Sequence, residues 1–447
     1  MEQIAFDPAE PNTALKQLPE SAAVFALFAA DAHAEPYIGR TPNLRGRLGR
    51  LLLPSPKHPK RLQLAGRVRR IEYRLTGSDF ESLLLQFDLL QTIYGAKALE
   101  RMHLGHPSFI RFLGGNPYPR ITVTNRPSQR EADWAYGPFA SRAAAERFAD
   151  EALKLFLLRR CVEELDPNPS HPGCVYSEMK MCLAPCYKGC TDERYAQEST
   201  AVEQFLATRG ESKLVTLKTE RDTASSRLEF ESAAALHTQV QKVEAVRALA
   251  AELVRPMSQL RGVILQPSAN PDEVAVFLFE EGQLLGPVSY SILGMRIQNE
   301  QSGSSSLFAQ PMAIEAVPEE TVGSGQGSGV REAGSRDREE GIREGVAADA
   351  AMAAPETSPV QVKVPRTMLE ARLESALEAA AAQKQSPNAT VRQGHLALLK
   401  RWYYRPEVKR VGEIFFPDDE GHWPLKAILR GIGRVAAKSM PALQVRS

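Results

Sequence analysis

The sequence predicts an α+β fold divided among several domains, and three observations predict it. Short strand-like and helix-like runs alternate over the first hundred residues. From about Asp192 to Val254 there is no proline, little glycine and abundant Ala, Leu, Glu and Lys, a helical composition. Strand patterns return at 260–293 and give way to helices near the end. A chain of 447 residues has room for about three domains. With 43% hydrophobic and 24% charged residues, its composition is that of an ordinary soluble protein.

Taken in order, AAVFALF (22–28) reads as a buried strand, and HAEPYIGR supplies a turn and a second strand, as in a hairpin. NLRGRLGRLL, from Asn43, puts leucines on one helical face and arginines on the other. RIEYRLT (70–76) alternates as a strand does. Ser78 or Asp79 can cap the helix that follows, which carries SLLLQFDLLQTIY. The resulting β-β-α-β-α order describes a small mixed domain ending near residue 100. A β-like YPRITVTN, a turn at YGPF (136–139) and an alanine-rich helix come next. The helical stretch after the cysteines reads as a pair of antiparallel helices. GVILQ, EVAVFLF and LLGPVSYSIL read as strands, with EEGQ turning between the last two.

Residues 299–361 are rich in Gly, Ser and charge and poor in large apolar side chains, so they are expected to be disordered. Beyond them lie two helical patterns, TMLEARLESALEAAAAQK and RQGHLALLKRWYY, and a short strand, GEIFF. The N-terminal residues show no basic segment ahead of an apolar core, and no apolar run is long enough to span a bilayer. A cytoplasmic protein without membrane contact is expected.

Two chemical features stand out. The net charge is only +1, yet between Tyr37 and Leu75 eleven Lys and Arg residues face one acid, Glu72. Such a stretch neutralises phosphates, which points to nucleic acid; a solvated basic face is the alternative. All five cysteines fall in one window: Cys161, Cys174, Cys182, Cys186 and Cys190. In a long chain with no secretory features, clustered thiols point to a metal or cluster rather than a disulfide framework. Four thiolates can ligate a [4Fe–4S] cluster. Zinc is the alternative, although its usual two-residue knuckles are missing. Buried thiols without metal are the third possibility.

In sequence order, AVFALF with PYIGRTPNLRGRL, then YGPF, then RRC, PGC and MCLAPC, then LEFESAAALHTQV (228–240) resemble the UvrC family of excinuclease subunits. The first of these is similar to the GIY-YIG endonuclease signature. The resemblance covers residues 15–255. It implies a metal-dependent nuclease site, using Mg or Mn, in which Tyr37 is the second signature tyrosine, Arg47 the helix arginine and Arg40 a replacement for a lysine. It also implies that Cys161, Cys174, Cys182 and Cys186 hold the [4Fe–4S] cluster, with Cys190 the extra thiol. Finally, it implies a UVR-type helical hairpin that docks on a UvrB-type helicase through Leu228, Phe230, Ala233, Ala234 and Leu236.

Two positions depart from the family pattern. Phe25 stands where the first signature tyrosine is usual and has no hydroxyl. Gln86 stands where a glutamate holds the metal, and a neutral amide is a poor sole ligand for a hard divalent ion. Residues three or four positions from Gln86 on the helix carry no charge, and Asp88 and Glu81 point elsewhere. Cleavage is therefore expected to be weak or absent. No FDISH-like sequence follows, so the second, RNase H-like incision is expected to be missing.

The expected organisation is a GIY-YIG-like domain at 15–100, a linker with the cysteines at 101–191, a UVR-type hairpin at 192–255, a β-rich segment at 256–298, the disordered insert at 299–361 and a C-terminal remnant of the RNase H-like region at 362–447. The expected function is nucleotide excision repair with impaired 3′-side incision. The alternatives are a non-catalytic adaptor binding DNA and a UvrB-type helicase, and a stand-alone iron–sulfur protein that binds nucleic acid.

Overall fold

The computed structural model describes residues 1–31, 33–54, 62–295, 365–384, 388–418 and 420–439. The insert expected to be disordered lies wholly outside them, as do Lys57, Lys60 and Arg61 of the basic stretch. Three four-stranded antiparallel sheets organise the described residues.

The first lobe is built from β1 (Glu2–Ala5), α1 (Pro11–Gln17), β2 (Ala23–Ala29), β3 (Tyr37–Thr41), α2 (Leu44–Leu52), β4 (Val68–Leu75) and α3 (Asp79–Tyr94), with strand order β1-β4-β2-β3. β2 and β3 form the expected hairpin, Phe25 facing Gly39 and Leu27 facing Tyr37. The sheet gains β1 from residues upstream of position 15. α2 begins where the Asn43 side chain accepts the Gly46 amide, at 2.6 Å. Its Leu44, Leu48, Leu51 and Leu52 are buried, which leaves its arginines on the outer side. Ser78 caps α3 by accepting the Glu81 amide, and Glu81 reaches back to the Gly77 amide at 2.8 Å.

After a short turn of helix, α4 (Ala98–Arg101), the second sheet runs β6-β5-β7-β8, from β5 (Ser108–Phe112), β6 (Ile121–Thr124), β7 (Ala135–Phe139) and β8 (Arg255–Pro256). YGPF is not a turn, as the sequence suggested. It is a wholly buried inner strand, because Tyr136 and Phe139 pack under α5 (Arg142–Leu153) while Ala135 faces the central core. The cysteine loop follows, with its one short helix α6 (Val175–Glu178). The helical region then holds three helices rather than two: α7 (Asp192–Ala207), α8 (Glu211–Ser226) and α9 (Phe230–Arg247). α7 buries Tyr195, Val202 and Phe205 in the core beneath the second sheet, so only α8 and α9 make the hairpin.

The third sheet runs β11-β10-β9-β12, from β9 (Gly262–Pro267), β10 (Glu273–Glu280), β11 (Gln283–Ser291) and β12 (Glu413–Phe415). β10 and β11 join through Glu281 and Gly282, both in left-handed conformation, the tight hairpin that EEGQ suggested. α10 (Arg366–Ala381) and α12 (Leu425–Ser439) cover one face; α11 (Ala389–Tyr403) and α3 cover the other. The described part of 362–447 completes a sandwiched sheet begun at residue 262. The sequence reading missed α12, whose Ile428, Ile432, Val435 and Ala436 recur at helical spacing on one buried side.

Candidate functional site

The surface carrying Tyr37, Arg40 and Arg47 lies where β3, α2 and α3 of the first lobe meet. Arg47 projects from α2 and its Nη2 donates to the Tyr37 hydroxyl at 3.3 Å. Phe25 is fully buried, its ring tilted 32° to that of Tyr37 with centroids 6.1 Å apart. A Cβ on Gly39 would come within 2.8 Å of the Phe25 ring tip, so the glycine of YIG is the residue that lets this ring lie across the strand. The structure thus joins Tyr37 to Arg47, while Phe25 supplies packing where a hydroxyl is usual.

Arg40 is turned elsewhere. Its guanidinium pairs with Asp79, the first residue of α3, and the other oxygen of that carboxylate accepts from Arg405 Nη2 at 2.6 Å. Arg405 follows α11, so the third-sheet lobe reaches into the edge of this surface. Partial burial would raise the Asp79 pKa, but the hydrogen bond and charge of Arg405 and the charge of Arg40 outweigh it and hold the carboxyl below its ordinary range.

The sequence reading missed Asp79, because it sought acids three or four positions from Gln86. Asp79 lies seven positions earlier, about 20° short of two full turns, on the same helical stripe. Asp88 and Glu81 do point away from that stripe. Asp88 meets His395 of α11 at 3.4 Å. Glu81 is buried against the Gly77 amide, and that burial pushes its carboxyl up. The acid nearest the stripe is thus committed to two arginines.

In the cysteine loop, Cys182 and Cys186 are raised by burial and by neighbouring thiols. Cys182 is pushed up to about 11, first by burial and further by Cys161, Cys174 and Cys186. Cys186 is raised by burial and then by Cys174 and Cys161. Cys190 is also raised by burial, but its charged neighbours are Arg194 and Asp192 rather than the other thiols. The loop turns tightly: Ala184 and Lys188 are left-handed, and the Ala184 amide donates to Cys182 Sγ at 3.3 Å. Arg159, only 3% exposed, directs Nη1 toward Cys161 Sγ at 3.6 Å. Among the described residues no three His, Cys, Asp or Glu side chains stand as a formed ion site. Cys161, Cys174 and Cys186 are within electrostatic reach of Cys182 without that closed geometry.

The apolar residues of the hairpin divide into two sets. Ala233 and Leu236 are half-buried, Leu236 packing on the core shared with α8. Leu228 and Phe230, where α8 turns into α9, are 71% and 66% exposed, and Ala234 is exposed beside them. The single apolar face read from the sequence is therefore split between core and solvent.

A family model for the UvrC/Cho excinuclease middle domain matches residues 109–205, the span of β5 to α7 that contains all five cysteines. UvrABC system protein C of Alcanivorax borkumensis is 31% identical over 212 residues, 47% of this chain and 34% of the relative. The protein of the same name from Ruminiclostridium cellulolyticum is 27% identical over 315 residues, 69% of this chain and 50% of the relative. The Escherichia coli protein is 29% identical over 258 residues, 57% of this chain and 41% of the relative. Residues 109–205 thus match a UvrC-family domain, and the chain as a whole is similar to UvrC-family proteins. It spans between a third and a half of the length of these relatives. No solved structure matches this chain. The family-model match stops at residue 205, before the hairpin, and begins after the first lobe. No helix among the described residues is long and apolar enough to cross a membrane.

Proposed function

We propose that this chain acts in nucleotide excision repair as an adaptor that binds DNA and a UvrB-type helicase and incises DNA weakly or not at all. The carrying observation is the commitment of Asp79 to Arg40 and Arg405, on a helix stripe whose other candidate ligand is the neutral Gln86. A divalent ion used for phosphodiester hydrolysis needs at least one free carboxylate. Tyr37 and Arg47 retain the hydroxyl and guanidinium suited to gripping a phosphate.

A nicking assay on damaged duplex with Mg²⁺ or Mn²⁺ and the helicase tests this. The parent chain should bind and not cut, and Phe25→Tyr with Gln86→Glu should restore some cutting. Robust cutting by the parent that Arg47→Ala abolishes would overturn the adaptor reading. Since Phe25 is fully buried beneath Gly39, the single variant Gln86→Glu should be assayed as well.

The proposed cofactor is a [4Fe–4S] cluster on Cys161, Cys174, Cys182 and Cys186, with zinc the alternative. Four soft donors, an amide donating to sulfur and an arginine beside Cys161 suit an anionic thiolate-bound group. Such a group would brace the loop between the second sheet and α7. Its positive metal charge favours thiolates that burial alone disfavours. After anaerobic purification, Cys182→Ser should lose iron and acid-labile sulfide, while Cys190→Ser should keep both.

The hairpin tip is the proposed helicase contact. Phe230 is its anchor, since a large aromatic side chain left in water gains most on being covered.

A further inference from the structure

The β5–β6 end of the second sheet carries cations that nothing so far described uses. β6 lies at the edge of that sheet and pairs with β5 so that Arg111 faces Thr122 directly. Arg120 lies two residues before Thr122, and the alternation of a strand brings it to the same face. The opposite face is plainly core: Ile110, Phe112, Ile121 and Val123 pack with α5.

On the polar face the usual satisfaction of buried polar atoms fails. Arg111 Nε, Arg120 Nε and Thr122 Oγ1 are all buried without a hydrogen-bond partner. Arg120 makes no ion pair or side-chain hydrogen bond among the described residues, and the sole ion pair of Arg111 is with Glu131, at a long 3.5 Å. Its like-charged neighbours are Arg159 and Arg111; only Cys161 and Glu163 offset them. Leaving three polar atoms unpaired at one spot incurs the full cost of taking each out of water. A native fold rarely carries such a concentration unless something else satisfies it.

We propose that Arg111, Arg120 and Thr122 form a binding site for a backbone phosphate of nucleic acid. A guanidinium presents Nε and Nη2 as a fork that fits two phosphate oxygens, and a threonine hydroxyl can donate to a third. Opposite and diagonal neighbours on a sheet lie about 5–8 Å apart, near enough for one phosphate group to bridge them. The site rests on the reading that this chain binds DNA. It deepens that reading by placing a grip in the second sheet, outside the basic stretch of the first lobe. The same chemistry would also admit free phosphate, so the test separates the two.

The experiment measures anisotropy of a fluorescein-labelled DNA duplex against the full chain over a range of salt concentrations. The double variant Arg111→Gln with Arg120→Gln should bind at least tenfold more weakly at low salt. The slope of log affinity against log salt should fall by about 0.9, since the site holds one phosphate and each phosphate contact contributes about 0.9. A charge-matched control, Arg142→Gln with Arg366→Gln, removes two exposed arginines from other helices and should keep the parent slope. Iron, zinc and sulfide content and the thermal transition should match the parent in both variants.

A double variant with parental affinity and slope would overturn the site, as would an equal loss in the control. A loss of bound metal that tracks the loss of affinity would assign these arginines to the cysteine loop instead. Displacement of the duplex by millimolar inorganic phosphate but not by equal ionic strength of chloride would assign the site to free phosphate. If the parent chain itself binds no duplex, the broader DNA-binding reading fails, which is a distinct result.

Discussion

Two regions of this chain have similar apolar sequence patterns and opposite fates. In α3, Phe80, Leu83, Leu84, Phe87 and Leu90 are all buried. Phe80 packs edge-on to Phe277 of β10, and Phe87 lies against His395 of α11. At the α8–α9 turn, Leu228 and Phe230 stand in solvent. Apolar spacing on a helix shows that a face needs cover. It does not show whether the cover comes from the same chain. For α3 the cover arrives from residues roughly two hundred to three hundred positions later; for the hairpin tip the described residues supply none.

The sharpest way to break this comparison is at Gly394. A Cβ there would overlap the Phe87 ring, and Phe87 is fully buried with no room to retreat. Gly394→Ala should destabilise the junction of the first and third-sheet lobes by about 3 kcal/mol, the upper part of the range for overpacking. Urea denaturation followed by circular dichroism would show it. Parental stability would mean that the junction is not the rigid contact described.

A smaller effect is expected where the two lobes exchange charge. Asp79→Asn removes the carboxylate shared by Arg40 and Arg405. All three side chains are about a third exposed, so solvent screening limits the cost to about 1 kcal/mol. The pH dependence has a definite sign. The folded Asp79 carboxyl is held below its ordinary value of 3.8, so its contribution is fully present above that value and fades as pH falls through the depressed folded one. The Asn variant should be less stable than the parent at neutral pH and approach it in acid. A stability difference unchanged from pH 7 to pH 2 would rule out the charge clamp.

The smallest change in stability, and the largest in association, is expected at the hairpin tip. Phe230→Ala should alter folding stability by less than about 0.5 kcal/mol, because the ring is mostly in water. It should nevertheless weaken binding to a UvrB-type helicase at least tenfold, as measured by calorimetry. If stability falls by several kcal/mol, Phe230 is core and the contrast with Phe87 disappears.

Much of the local structure was legible in the chain. Ser78 and Asn43 announce the helices they cap because side-chain capping is decided within four residues. The hairpins at β2–β3 and β10–β11 follow from alternation and turn chemistry. YGPF misled because Gly and Pro usually mark turns, whereas here they sit in a strand buried between α5 and the central core. The third helix, α7, was absorbed into a presumed pair because helical composition does not show where one helix stops. Its C-terminal break is made by Arg209 and Gly210, both left-handed.

The sequence by itself determined the local vocabulary of this protein: element types, caps, hairpins, the gathering of five thiols in thirty residues, and the apolar Phe25 and neutral Gln86. Those depend on interactions a few residues in range, or on residue chemistry alone. Only the tertiary structure decided that Asp79 is held by Arg405, that Cys182 and Cys186 but not Cys190 feel other thiols, and that Arg111 Nε, Arg120 Nε and Thr122 Oγ1 are buried on one face without hydrogen-bond partners. Each depends on chain segments brought together by burial of apolar surface, and no local pattern encodes which distant segment will arrive.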